Sequence, residues 1–294
     1  MSNYKFVQLS STTISRLDEL YTYVYGKKPA SNHYRLKYAT AFTGVEYIGF
    51  FAFEKNIPVA YYGVVPVLVS INGTPVLAAQ SCDTMTHPDF RKKGLFTELA
   101  TLTFELAKKE GIHFVFGFPN QNSYHGLVEK LEFTHLETMN RYTMSYSENL
   151  FKKLYRKYRN ATVKKQRTLV SNILLEQGHD GVLYSQQYFD YKAYNRNFTV
   201  ANPSGLLWIN QSDALWIGAI SSAKEEEIIE QFLFIEKSIK AKSATFIVSP
   251  DTLQDNLFRT ILKPEKGFAT TVKNLSNIHI LDKLKFQFSD IDIF

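Results

Sequence analysis

The sequence predicts a mixed α/β (α+β) fold: strands in a mixed sheet, helices against it, and a second related half after the first. Three observations carry this. Apolar runs of strand length alternate with segments of helical periodicity. Asn72-Gly73 separates two long apolar runs, the strongest short hairpin signal. A patch of the first half recurs, more weakly, in the second.

The elements of the first half follow in order. Phe6 to Leu9 reads as a short strand and Ser15 to Tyr25 as a helix. Tyr34-Arg35-Leu36-Lys37-Tyr38 is a loop or short helix. Tyr47 to Glu54 is a strand that ends in a turn at Lys55-Asn56, and Val59 to Ile71 is a long strand. Pro66 within it cannot donate to a ladder and so requires a bulge or an edge. Val76 to Met85 returns. Leu95 to Lys109 is a helix with Leu95, Leu99, Leu102, Leu106 and Ala107 on one face, and Gly111 caps its end. Phe114-Val115-Phe116 is wholly apolar, as in a strand buried on both faces. Asn122 to Lys130 reads as a helix and Phe133 to Ser145 as further strand.

The second half repeats the end of this pattern. Phe114-Val115-Phe116-Gly117-Phe118-Pro119 parallels Thr245-Phe246-Ile247-Val248-Ser249-Pro250. Leu127 and Phe258 stand at the same distance after each proline, as do Leu131 and Leu262. Phe133 and Phe268 follow, the latter after an insertion around Pro264. Upstream of the second copy lie a strand, Ala214 to Ile220, and a helix, Glu225 to Lys240.

Composition narrows the class. A chain of 294 residues suggests two domains, and 45% hydrophobic residues suffice for a large core. The 23 Phe and 18 Tyr imply a core rich in aromatics. No apolar run is long enough to span a bilayer, and no apolar signal segment follows Met1-Ser2-Asn3-Tyr4-Lys5. The one cysteine, Cys82, cannot form an internal disulfide. A soluble cytoplasmic protein is the expectation. The net charge of +6 suits an anionic small ligand and does not by itself indicate nucleic acid or a membrane. Much of the excess lies in 152–167, an amphipathic basic connecting helix expected over 150–167. Metal chemistry is not indicated: the seven histidines are scattered, without an i, i+4 pair.

The most informative stretch is Thr84-Met85-Thr86-His87-Pro88-Asp89-Phe90-Arg91-Lys92-Lys93-Gly94-Leu95-Phe96, a strand end, a basic loop and a helix start. A helix start leaves N–H groups unpaired and favours negative charge. Three cations and a glycine there make a phosphate seat. This stretch resembles the acetyl-CoA motif of the GNAT superfamily of N-acetyltransferases, an Arg or Gln, two residues, Gly, one residue, then Gly or Ala. Arg91 and Gly94 match the first two fixed positions, whereas the third falls on Phe96. The order of elements through residue 147 is also that of the superfamily, whose twisted mixed sheet is flanked by helices. The resemblance implies acetyl-CoA as co-substrate. Met85 and Thr86 would pair with the pantetheine arm. Arg91, Lys92, Lys93, Gly94, Leu95 and Phe96 would hold the pyrophosphate, with Asn120 and Asn122 in the polar loop beyond.

Acetyl transfer to an amine needs proximity, an acceptor for the amine proton and a donor for the leaving thiolate. Asp83, just before the pantetheine positions, is the candidate base. The competing reading is a strand-end carboxylate bonded to backbone. His87 is a lesser candidate. The acid of the resembled family is a tyrosine in Leu-Tyr-x-x-x-Gly-Phe. Here that position is Val128 and the glycine is Glu132, so Tyr124, about one helical turn earlier, is the candidate acid. Glu46, Glu54 and the carboxylate of Phe294 are reserve bases.

The second copy lacks the phosphate seat. Ser221-Ser222-Ala223-Lys224-Glu225-Glu226-Glu227 offers no glycine turn and no arginine, and its glutamates would repel a pyrophosphate. The expected organisation is therefore a donor-binding domain over 1–147 and a degenerate GNAT-like half over 148–294. The resemblance implies an N-acetyltransferase acting on a primary amine of a small molecule or peptide. The alternatives are a CoA-sensing protein without turnover and an aminoacyl transferase of the peptidoglycan cross-bridge kind.

Overall fold

The computed structural model describes residues 4–145, 172–192, 198–201, 206–211, 214–220, 224, 226–227, 242–277 and 283–292. The basic helix expected over 150–167, the boundary at 147/148 and most of the helix expected over 225–240 lie outside them. The chain separates into two compact units. The first comprises Met1–Val69, Pro75–Leu136 and Thr270–Ile280, and the second Ser70–Thr74, Glu137–Ala269 and Leu281–Phe294.

In the first unit, β1 (Lys5–Gln8) lies antiparallel to β2 (Ile48–Glu54), and β2 antiparallel to β3 (Ile57–Ile71). The last β3 residue registered with β2 is Val64, so Pro66 interrupts no bond of that ladder. β3 neighbours β4 (Thr74–Thr86) through the Asn72-Gly73 turn, where both residues adopt the positive φ of a tight hairpin (50° and 78°). β4 runs parallel to β5 (Phe114–Gly117), with Ala79 opposite Val115.

Helices cover this sheet where their apolar spacing directs them. α1 (Arg16–Tyr25) buries Leu17 and Leu20 and stops at the left-handed Gly26. α2 (His33–Lys37) is one short piece that buries Tyr34 and Lys37. α3 (Leu95–Lys109) buries Leu95, Leu99, Ala100, Thr103, Phe104 and Ala107, and joins Ile48, Tyr62, Val64, Val115 and Phe133 in one core. Each such large apolar side chain contributes about 1.5–3 kcal/mol by leaving water. Thr103, the polar member, is satisfied within the helix by donating to the Leu99 carbonyl at 2.8 Å.

The last strand of this unit comes from far along the chain. Residues 271–274 of β12 (Glu265–Asn274) pair antiparallel with β5, Val272 opposite Phe116. The second unit shows the counterpart: β6 (Thr134–Ser145), from the first half of the sequence, pairs antiparallel with β11 (Ser243–Val248). β11 is in turn parallel to β10 (Ala214–Ala219), which continues to β9 (Leu206–Gln211) and β8 (Phe198–Ala201). A helix, Leu253–Ile261, follows β11 and lays Phe258 against Tyr142 and Phe246 at ring separations of 5.4 and 5.3 Å.

The segment after Pro119 differs from the sequence expectation of one helix over 122–130. α4 (Gln121–His125) is a single α-helical turn, and Gly126–Lys130 continues it as a π-helix. Five residues carry too little periodicity to signal that widening. The wider turn also means that Tyr124 and Val128 do not stack as an ideal α-helix would stack them.

Candidate functional site

The site is built where β4 ends and α3 begins. His87 opens a 3-10 turn, Pro88–Phe90, its Nδ1 accepting from the Asp89 N–H at 3.3 Å. Its own N–H donates to the Val59 carbonyl at 2.8 Å, and its ring packs edge-on to Phe90 at 5.5 Å. Those contacts give His87 a turn-forming task. Arg91 is extended, and its Nε reaches back to the Thr86 carbonyl at 3.4 Å, which ties the cation to the strand end. Lys92 and Gly94 then take positive φ, 61° and 81°. Two positive-φ residues in so short a segment turn the backbone sharply, and turns of this kind are where successive N–H groups form anion-binding nests. Gly94 is the N-cap of α3 and has no side chain to satisfy the first N–H groups, which stay available to a ligand.

The resulting cleft is lined by Thr86, Phe90, Arg91–Thr97 and Lys130. Among the described residues its charged lining is wholly cationic: Arg91, Lys92, Lys93 and Lys130. Lys93 also lies over the Phe90 ring, 4.4 Å from its centre. Phe96 stands at the position that is small in the resembled motif. Its ring meets Tyr62 edge-on at 5.8 Å, and a Cβ added to Gly126 would lie 3.2 Å from it. A large residue at the helix start is thus matched by a missing side chain on the facing segment. Met85, next to the cleft, is buried, and the Tyr34 hydroxyl points at its sulfur at 3.9 Å.

Asp83 lies within β4 yet has φ of +46°, a left-handed residue inside a strand. Such a conformation costs about 1–3 kcal/mol and re-aims the side chain. The carboxylate accepts from Lys37 Nζ at 3.0 Å on one oxygen and from the Tyr38 hydroxyl at 3.1 Å on the other. Burial, and then the Asp83 charge, push the Tyr38 phenol well above its ordinary pKa, so it stays protonated and donates. Gly49 and Gly63, opposite each other on β2 and β3, make room for the Tyr61 phenol, which lies where their side chains would be. Lys37 and Tyr38 were not singled out from the sequence. Only the left-handed backbone at Asp83, which the apolar pattern does not show, would have directed attention to them.

Asn120, Asn122 and Tyr124 are elsewhere in this unit, and the Phe294 carboxylate lies outside the described residues. Asn120 caps α4: its side chain accepts from the Asn122 and Ser123 N–H groups at 2.9 and 3.1 Å, and Ser123 Oγ reciprocates. Asn122 is exposed. Tyr124 is half-buried, its ring edge-on to His135 at 5.8 Å. Among the described residues no group of three or more His, Cys, Asp or Glu could hold a metal ion, and no helix is long and apolar enough to cross a membrane.

Comparison with known proteins gives this geometry a context. Residues 6–136 match the family model described as the acetyltransferase (GNAT) domain. In structure the chain is similar to a GCN5-related N-acetyltransferase from Kribbella flavida (TM-score 0.67, 12% identity, 93% of this chain and 72% of that one). It is also similar to a putative acetyltransferase from Pyrococcus horikoshii (TM-score 0.60, 11% identity, 99% and 95%). A third is Saccharomyces cerevisiae N-myristoyltransferase, solved with myristoyl-CoA (TM-score 0.56, 11% identity, 92% and 83%). At these identities the likeness is one of fold. No curated protein matches the chain in sequence.

Proposed function

We propose that the chain is an acyl-CoA-dependent N-acetyltransferase that acetylates a primary amine of a small molecule or peptide, holding one acetyl-CoA per chain in its first unit. The observation that carries this is the left-handed, wholly cationic cleft between β4 and α3, within the segment that matches the GNAT domain. Arg91 to Phe96 seat the pyrophosphate, and Met85 and Thr86 run beside the pantetheine arm.

In the reaction the amine nitrogen attacks the thioester carbonyl, so a C–N bond forms and the C–S bond breaks. The ammonium proton passes to Asp83, directly or through water, and the thiolate takes a proton from Tyr124 or solvent. A carboxylate offers about four acceptor sites. Asp83 has two of them filled, by Lys37 and Tyr38, which leaves capacity for an incoming amine. The same ion pair supports a second reading, a CoA-binding protein without turnover, because Lys37 and Tyr38 already give the Asp83 carboxylate a structural task.

The second unit is proposed as a degenerate copy. Support comes from a shared plan: the parallel pair β4–β5 precedes α4, and the parallel pair β10–β11 precedes Leu253–Ile261. The glutamates at 225–227 disfavour a second donor.

Calorimetry with acetyl-CoA on the intact chain and on Gly94→Glu tests the reading. Gly94 has open space around it, but φ of +81° strains any side chain, and the added charge faces the phosphates. We expect a stoichiometry of one and a loss of at least about a hundredfold in affinity for Gly94→Glu. Equal affinity in both proteins, or two sites per chain, would overturn it.

A further inference from the structure

Three cations of the cleft are consecutive in sequence, but the fourth arrives from a different segment and the donor motif does not include it. We propose that Lys130 binds the 3′-phosphate of CoA, so that this site distinguishes CoA from dephospho-CoA. The inference rests on the donor reading above and adds a specificity residue to it.

Lys130 ends the π-helix Gly126–Lys130 and lines the same cleft as Arg91–Thr97. Its delivery there has a local cause. Phe96, at the helix start, packs its ring against Gly126, and a Cβ at 126 would press on that ring at 3.2 Å. The backbone of the second segment therefore approaches the first closely at Gly126. The wider π turn that follows ends at Lys130, on the cleft. A π turn is a costly local insertion that recurs at functional sites.

Nearby charges are otherwise committed. Glu129 accepts from His125 Nδ1 at 3.0 Å, and Glu132 pairs with Lys273 at 3.5 Å. Among the described residues no carboxylate lines the cleft beside the four cations. Like charges gathered on one concavity repel, and an anion in it removes that cost.

The balance of charge selects the ligand group. A pyrophosphate diester carries one negative charge per phosphorus, and the left-handed turn with Arg91 to Lys93 answers both. A phosphomonoester carries up to two charges and is met best by an ammonium without a carboxylate partner. In CoA that group is the 3′-phosphate. Lys130 is exposed, so its contribution is moderate and falls with salt.

The test is calorimetry at low salt on the full chain, with CoA and with dephospho-CoA as probes. The native protein should bind CoA about tenfold more tightly than dephospho-CoA. Lys130→Ala should lose most of that preference, weakening CoA and leaving dephospho-CoA within about twofold. Lys130→Arg should keep the preference, because the charge remains. An equal loss for both nucleotides would place Lys130 at the pyrophosphate, and no loss for either would remove it from the site. Either result overturns the inference while the donor reading stands. Failure of the native protein to bind either nucleotide overturns both.

Discussion

Asp83 and Asp255 are both acidic residues next to a parallel pair of strands, one in each unit, and they are treated in opposite ways. Asp255 has a side chain wholly out of contact with water and four donors on its two oxygens. Asn140 (2.7 Å) and the Tyr142 hydroxyl (2.5 Å) meet one oxygen, and the Asp251 N–H (3.1 Å) and Arg259 Nε (2.8 Å) meet the other. Burial works against its charge, but the bonds from Tyr142, Arg259 and Asn140 prevail and hold its carboxyl below the usual range. Asp83 has two donors, sits on a strained backbone and is not fully buried. A saturated carboxylate is structure, whereas a half-saturated one retains room for a further hydrogen bond. Asp255 has been closed by its neighbours, and Asp83 has been left open.

The largest test of that contrast is Asp255→Ala. Removing a buried charge that answers four donors should cost about 3–5 kcal/mol, read from urea unfolding. A loss below about 1 kcal/mol would erase the distinction between the two carboxylates. Because the folded pKa of Asp255 is depressed, its stabilisation is present above the unfolded carboxylate value. It is lost as pH falls through the folded one, so the variant should also lose acid sensitivity below about pH 4.

Asp290 sharpens the comparison from the other side. It is buried and accepts from the Gln287 N–H and the Tyr184 hydroxyl at 2.7 and 2.8 Å, and Lys192, which donates to the Ile291 carbonyl, favours its charge. Burial pushes its carboxyl up to about 7. A raised folded value means stability is full below the unfolded pKa and declines as pH rises toward 7. The decline is roughly 4 kcal/mol at most. Asp290→Asn should flatten stability between about pH 4 and 7. An unchanged slope would show that Asp290 is not its source.

Asp83→Asn comes next. If the open carboxylate takes the amine proton, turnover should fall by about a hundredfold or more while acetyl-CoA affinity is kept. Near-native turnover would assign the proton to water and leave Asp83 as an anchor for Lys37. Tyr124→Phe should act in the same direction but more weakly, since solvent can protonate a thiolate. The smallest effect belongs to Tyr61→Phe. Its buried hydroxyl has no well-formed partner, although Tyr38 is its neighbour, so its removal should change stability by less than about 1 kcal/mol. A loss of several kcal/mol would make Tyr61 a working member of the Asp83 cluster.

Most elements of the first unit were legible because each has its own periodicity. The helix expected over 95–109 is α3, and the strands fall within two residues of their expected ends. Helix starts announce themselves locally, so Arg91 to Phe96 could be read as one loop. The Lys37–Asp83 pair spans 46 residues and turns on a left-handed strand residue that hydrophobic pattern does not encode. Lys130 was legible as a residue and not as a lining group, because the π turn that delivers it leaves no periodic trace. The pairing of β5 with β12 was hidden for a similar reason: alternation identifies a strand but not its neighbour. The contact between Thr271 and the Gly117 carbonyl joins residues 154 apart.

That exchange of strands sets a timetable for the newborn chain. β5 is synthesised early, but the strand that covers its free edge is made some 150 residues later. Until then an apolar edge with unpaired backbone groups is exposed, the kind of template on which chains associate wrongly. The cationic cleft is encoded between residues 86 and 130, yet the sheet of the unit holding it lacks its last strand until residues 271–274 have been made. A ribosome paused between the two would carry a protein with its cationic cleft synthesised and its sheet unfinished, a natural client for a chaperone.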